Sequence, residues 1–182
     1  MKTIFRTYQF ELQPTQEQKV LLDKHFGCVR YVYNYFLNER KEQYQADKKS
    51  DNYYRQAATL TELKKKDETS WLKEVNSQSL QFALRCLDTS YVNFFRGKAK
   101  FPRFKSRKKK NSFTVPQFAK LDGGRFFAPK FKEGIKVNVH REVKGEIGKC
   151  TLSKTPTGKY FVSILSEEQY QPKEKTGAVC GI

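Results

Sequence analysis

Two periodicities, meeting at a basic joint, predict an α+β fold: a small antiparallel β-barrel-like domain interrupted by an inserted helical bundle. Apolar residues recur every three or four positions between 15 and 97, whereas residues 3–12 and those after 112 alternate. The first strand has no strand-like neighbour in sequence, so its partners must lie beyond residue 112, which makes the helices an insertion. The expected boundaries are 1–13 with 98–176 for the β-domain and 14–97 for the helical lobe.

Each element has a local cause. Ile4, Tyr8, Phe10 and Leu12 share one face of the opening strand, with mostly polar residues opposite. Thr15 then offers an N-cap, and Gln18, three residues on, can reach back to the cap amide. Val29, Val32, Tyr33, Phe36, Leu37 and Tyr44 form a helical stripe ending near Asp47. A shorter helix fits Tyr53 to about Lys66, and Trp71-Leu72 anchors the link to the next one. Asn76 or Ser77 caps a long helix carrying Leu80, Leu84, Leu87, Tyr91 and Phe94, which Gly97 stops. Beyond 112, Ile135, Val137 and Val139 alternate, and Pro156-Thr157-Gly158 sits between two β-prone runs as a hairpin turn.

Charge narrows the function. The chain has 182 residues and a net charge of +17, and residues 95–182 alone carry 21 basic and 7 acidic groups. Such asymmetry points to a polyanion, most often nucleic acid. With 14% aromatic residues the chain is too rich in large side chains for simple disorder. No apolar run reaches the ~20 residues of a membrane span, and no signal peptide is evident, so the expectation is a cytoplasmic protein without a membrane partner. Cys28, Cys86, Cys150 and Cys180 form no C-x-x-C pair and have only His25 and His140 beside them in the sequence, which argues against a zinc module.

The joint runs from Arg96 through Lys98, Lys100, Phe101, Arg103, Phe104, Lys105, Arg107, Lys108 and Lys109 to Lys110, nine basic residues in fifteen with no acid. Pro102 keeps the run extended, and Phe101 and Phe104 supply rings that can stack on bases while the cations track phosphates. These eleven residues are the candidate nucleic-acid contacts, and the run alone does not decide between RNA and DNA. Catalytic constellations are missing from the pattern: there is no Gly-rich phosphate loop, nucleophile elbow or metal-ligand His pair. Adjacent acids such as Asp67-Glu68 and Glu167-Glu168 are expected to be solvated surface. No enzyme activity is therefore predicted for this chain.

Four segments, in order, carry a family resemblance. Gly27, Arg30, Tyr33, Asn34 and Leu37 fit G-x-x-R-x-x-Y-N-x-x-L. Trp71, Leu72, Glu74, Val75, Leu80 and Gln81 fit W-L-x-E-V-x-x-x-x-L-Q, and Asn93-Phe94-Phe95 and Phe101-Pro102-Arg103-Phe104-Lys105 follow. Together they resemble the first half of the TnpB (OrfB) proteins of bacterial insertion sequences, RNA-guided DNA endonucleases. The resemblance implies a wedge-type β-domain and a helical recognition lobe, whose helices are also described as helix-turn-helix-like. Its implied partners are guide RNA and double-stranded target DNA, with nucleoid association in a bacterial or archaeal cell when DNA is bound. By position in the lobe, Tyr53, Ser77, Gln78 and Gln81 would lie near the target-adjacent duplex, and Gln is chemically suited to adenine edges. Arg30, Tyr33 and Asn34 suit packing and helix contact better than base reading.

Residues 177–182 resemble the run into the first strand of the RuvC-like nuclease domain. The expectation is a truncated or split chain without the nuclease carboxylates, whose magnesium and zinc would belong to the remainder, leaving no cofactor here. Two rivals stand beside this one: a stand-alone DNA-binding repressor of helix-turn-helix type, and a subunit that completes a RuvC-like half in trans.

Overall fold

A computed structural model describes residues 2–48, 51–109 and 111–171. Seven strands form one antiparallel sheet: β1 (Lys2–Gln13), β2 (Asn111–Val115), β3 (Lys120–Asp122), β4 (Arg125–Ala128), β5 (Phe131–Asn138), β6 (Glu146–Lys154) and β7 (Tyr160–Tyr170). Their order is β2-β6-β7-β1-β5-β4-β3. The sheet is open, and among the described residues no pairing joins its edges β2 and β3. β1 is central: it pairs with β7 from Lys2↔Tyr170 to Leu12↔Tyr160 and with β5 over Glu11↔Asn138 to Gln13↔Lys136. The partners of the first strand thus come from beyond residue 112, as its isolation in sequence requires.

The alternation of β1 translates directly into burial: Tyr8, Phe10 and Leu12 are in the core, while Phe5, on the other face, is exposed. The β6–β7 connection closes at Thr155, whose amide donates to the Lys159 carbonyl at 2.9 Å, with Gly158 at φ +86°. Only glycine adopts that turn without strain. Glu168 departs from the expected solvated surface. It is buried and accepts a 2.5 Å hydrogen bond from the Tyr8 hydroxyl, with Arg6 3.6 Å from its other oxygen. β7 extends to Tyr170, so the even-numbered Glu168 inherits the inward face of Val162, Ile164 and Ser166. Glu167 stays exposed.

Between β1 and β2 the chain is helical: α1 (Gln16–Asp47), α2 (Tyr53–Leu63), a 3-10 segment (Asp67–Glu74) and α3 (Ser77–Phe95). The capping box at Thr15 and Gln18 forms in both directions, and Asn76 rather than Ser77 caps α3 by accepting from the Gln78 amide. Gly27 does not interrupt α1, which runs for 32 residues. The shorter helix stops at Leu63, and the lysines that follow enter a turn where Thr69 donates to the Leu63 carbonyl.

Buried polar side chains on α1 join the helices to each other and to the sheet. The fully buried His25 donates from Nδ1 to the Leu21 carbonyl (2.8 Å) and accepts at Nε2 from the Asn76 amide (3.1 Å), with its ring against Phe113 and Phe131. Only the neutral imidazole can both donate and accept in this way. Farther along, the buried Arg40 donates through Nε to Gln56 (3.0 Å) and through Nη2 to Asp88 (2.8 Å), with its guanidinium over the Tyr91 ring. Gln56 completes the set by donating to the Phe36 carbonyl. One guanidinium therefore fixes α1 against both α2 and α3.

Burial lowers the His25 pKa from 6.5 to about 4, with nearby Lys130 adding to the effect and the bond to Leu21 opposing it. Between those two values the unfolded chain takes up a proton that the folded chain refuses. This contribution to stability is therefore complete above pH 6.5, declines as the pH falls, and levels off below about pH 4. Urea midpoints measured from pH 7 down to pH 5 should fall, with a limiting slope of about 1.4 kcal/mol per pH unit from this group. In His25→Gln the same decline should flatten, from a lower starting stability.

Candidate nucleic-acid interface

The joint leaves α3 at Gly97, whose φ of +69° turns the chain, and the amides of Lys98 and Ala99 donate to the Asn93 carbonyl at 2.9 and 3.2 Å. Its middle is held by one side chain. Asn34 donates from Nδ2 to the Lys105 carbonyl (2.9 Å) and accepts at Oδ1 from the Lys105 amide (2.8 Å), so its carboxamide acts like a strand partner. One turn earlier on α1, Arg30 donates to Asn111 Oδ1 (2.8 Å), and Asn111 donates in turn to the carbonyls of Arg107 and Lys109. Thus Arg30 and Asn34 hold the joint's backbone and shape through hydrogen bonds to the loop and to the first residue of β2, rather than by packing within the apolar stripe.

The joint's side chains divide by task. Pro102 is buried, and Phe101 stands edge-on to Phe94 and Tyr91 with centroids 5.2 and 5.6 Å away. Phe104 remains half exposed beneath the Lys41 ammonium, 5.3 Å from its ring centre. The Lys105 ammonium lies 4.3 Å from the centre of the Tyr33 ring, and loss of water around it lowers its pKa. Arg96, Lys98, Lys100, Arg103, Arg107, Lys108 and Lys109 are exposed and enter no ion pair among the described residues. Lys110 lies outside the described residues, as do Cys180 and the run 177–182.

Arg107, Lys108 and Lys109 border a cleft of about 340 Å³ with Arg30 and, from the opposite β6 end, Lys154. Lys154 is held there by both oxygens of Asp23, at 2.9 and 3.0 Å. Arg30 and Lys154 were not singled out as cleft cations by sequence, because neither belongs to the charge run.

A second polar surface surrounds the N-terminal end of α3. Ser77 accepts from the Lys64 ammonium at 3.0 Å, and burial lowers the Lys64 pKa. Gln78 and the exposed Gln81 line a pocket of about 150 Å³ together with Arg85 and Gln117. The Gln78 carbonyl oxygen is buried without a hydrogen-bond partner among the described residues. Tyr53 joins this group through Arg85, whose guanidinium is 5.3 Å from its ring centre. All four residues expected near a duplex therefore belong to one neighbourhood. Sequence reasoning missed Arg85, although its position four residues after Gln81 places it on the same helical face. The joint begins at the C-terminal end of α3, whereas this second surface surrounds its N-terminal end.

Among the described residues no three His, Cys, Asp or Glu side chains are grouped so as to hold a metal ion, and no helix is long and apolar enough to cross a membrane. Cys28, Cys86 and Cys150 are free thiols, and burial pushes Cys28 to about 11 and Cys150 to about 12. Neither forms appreciable thiolate at neutral pH.

Because Asn34 supplies two backbone hydrogen bonds to the joint, Asn34→Ala should free this segment locally at a cost of about 1–2 kcal/mol. Limited trypsin digestion should cut between Arg103 and Lys109 roughly tenfold faster than in the parent chain. An unchanged rate would show that the joint is held by other contacts.

The helix-turn-helix domain model of the OrfB_IS605 family matches residues 1–49. In the described part of that segment, β1 is followed by the uninterrupted α1. A Streptomyces pristinaespiralis protein named "Putative RNA-guided DNA endonuclease" is 36% identical over 187 residues, spanning 100% of this chain and 46% of the relative. Escherichia coli K12 InsQ, which bears the same description, is 34% identical over 180 residues, or 97% of this chain and 44% of its own length. The virulence protein VsdF of Salmonella dublin is 35% identical over 105 residues, covering 53% of this chain and 88% of VsdF. The chain spans about half the length of the first two relatives. With the four motifs on their own elements and these relatives matched along nearly its whole length, the chain belongs to the TnpB (OrfB) family and corresponds to the N-terminal half of its RNA-guided nucleases.

Proposed function

We propose that this chain is the nucleic-acid-binding half of an RNA-guided DNA endonuclease, holding the guide RNA scaffold at the basic joint and target-adjacent duplex DNA at the N-terminal end of α3. The observation that carries the reading is the joint itself: exposed cations on a backbone pinned by Asn34 and Asn111. An unpinned lysine run binds polyanions without register. A pinned one offers its charges at set spacings, which suits one folded RNA over others.

On this reading residues 1–13 and 98–176 act as the wedge-type β-domain. Residues 14–97 act as the inserted recognition lobe, and 177–182 lead into a RuvC-like domain. Sequence specificity comes from base pairing with the guide, while Tyr53, Ser77, Gln78 and Gln81 examine the short duplex beside it. The unpartnered Gln78 oxygen supports this role, since it can accept from the exocyclic amine of a base. Cleavage, with its metal ions, is assigned to the part of the relatives that this chain does not match. The purified chain with guide RNA, target duplex and Mg²⁺ should then leave the duplex whole unless a RuvC-like half is added. A stand-alone repressor, the reading favoured by the helix-turn-helix description, would instead protect DNA with no RNA present.

RNA recovered with the purified protein and transcribed in vitro is the natural probe. Its affinity should fall with salt, and Arg107→Ala, Lys108→Ala and Lys109→Ala combined should reduce the slope of log K against log salt by about 2 for single-stranded contacts. Equal affinity for a shuffled RNA of the same length would refute guide-specific binding. With RNA bound, Gln78→Ala and Gln81→Ala should each relax selection from a randomised duplex library by about 1–3 kcal/mol at one base pair. RNA affinity should not change in either variant.

A further inference from the structure

Where the last turns of α3 pass α1, an apolar groove of about 350 Å³ lies among Tyr44, Tyr91, Phe94, Phe95 and Phe101, with Arg40 and Lys41 also on its wall. Three of its rings are open to solvent: Phe95 at 66%, Tyr44 at 54% and Phe101 at 41%. Neighbouring exposed aromatics of this size mark a binding surface rather than ordinary surface scatter.

Two further observations say what kind of partner fits. Tyr91 is 6% exposed, yet its hydroxyl is buried with no hydrogen-bond partner among the described residues. Such a group calls for a polar atom from outside. The groove's wall also contains no acid; Asp88 beside it is already paired with Arg40, whereas Lys41 on the wall, Arg96 next to Phe95, and Lys98 and Lys100 just before Phe101 enter no ion pair among the described residues. An apolar protein helix would cover the rings but leave the hydroxyl unpaired and the cations without counter-charge. A nucleotide meets all three conditions, with a π face for the rings, a polar edge for the hydroxyl and a phosphate for the lysines.

We infer that this groove takes an unpaired nucleobase of a bound nucleic-acid strand. The base stacks among Tyr44, Phe95 and Phe101, an edge atom bonds to the Tyr91 hydroxyl, and the adjoining phosphates are neutralised by Lys41, Lys98 and Lys100. The inference rests on the reading that the joint meets RNA and adds a site that recognises bases as well as phosphates.

Fluorescence anisotropy with four labelled probes tests it: a single-stranded RNA, the same strand as DNA, the RNA with abasic sites, and the fully paired RNA duplex. Phe95→Ala and Tyr44→Ala, both at exposed rings, should each weaken single-strand binding about tenfold while leaving duplex affinity and the salt slope unchanged. The abasic strand should bind the parent chain as weakly as the intact strand binds the variants. Tyr91→Phe should weaken single-strand binding severalfold without lowering the thermal midpoint. A preference between the RNA and DNA strands identifies the source of the base. The inference fails if the abasic strand binds as well as the intact one, or if the Phe95 and Tyr44 variants bind like the parent. It also fails if Phe95→Ala converts a dimer into a monomer in sedimentation, because a second copy would then cover the groove. Loss of binding to every RNA by the parent chain would overturn the RNA-contact reading too, whereas intact duplex binding with indifferent groove variants overturns this inference alone.

Discussion

The unbroken course of α1 sets the distances between the other parts of the molecule. At 1.5 Å per residue its 32 residues span about 48 Å, far enough to reach from the sheet to the outer helices. Each partner attaches at a different height: α3's cap at His25, the end of the joint at Arg30, its middle at Asn34, and α2 together with the middle of α3 at Arg40. These attachments are polar and directional, whereas the apolar stripe of Val29, Val32, Phe36 and Leu37 between them is not. The stripe supplies most of the burial, and the hydrogen bonds determine which register of packing is satisfied. A break at Gly27 would separate His25 from Arg30, Asn34 and Arg40 and let the two ends of the helix move independently.

A chain with a net charge of +17 has to fold against its own repulsion. It does so by removing few cations from water. Arg40 is buried, but with Asp88, Gln56 and the Tyr91 face around it, and Lys105 surrenders part of its hydration to lie over Tyr33. The remaining joint cations among the described residues stay exposed, so their repulsion is screened by salt. Their backbone is already held, which lowers the ordering cost of any association. Exposure of the charge and immobility of the chain beneath it are separate properties, supplied by different residues.

That separation explains which parts were legible in the sequence. The opening strand, the capping box at Thr15, the extent of α3 and the turn at Gly158 each depend on residues within a few positions of one another, and local pattern reveals them. The charge run is equally local, and its outline as a candidate interface was visible. The carboxamide of Asn34 closing on Lys105, 71 residues away, was not, because a single Asn on a helix has no local signature of its distant partner. Lys154, on the cleft wall with Arg107, was hidden for the same reason. Glu168 was misread because acids are mostly exposed, whereas its even position in a strand that runs on to Tyr170 places it on the buried face, where Tyr8 donates to it. Strand order was likewise out of reach, since alternation shows that a strand is half-buried but not which strand lies beside it.

β1 explains how a basic joint in mid-chain comes to be tied at both of its ends. It is the first strand made, yet it lies between β7 and β5, so its pairing waits for residues more than a hundred positions later. Until β5 and β7 arrive, α1 hangs from an unpaired strand, and until β6 arrives the joint, though already attached to α3, leads into an unpaired β2. Once β1 is enclosed, α1 is anchored at its start, α3 packs against both α1 and β2, and the joint is tied at each end to elements that no longer move independently. Long-range pairing of this kind slows folding, because loop closure is unfavourable before any contact rewards it. In return, the geometry of the basic segment depends on the completed sheet. A partly made chain therefore presents charge without shape, and the finished one presents both.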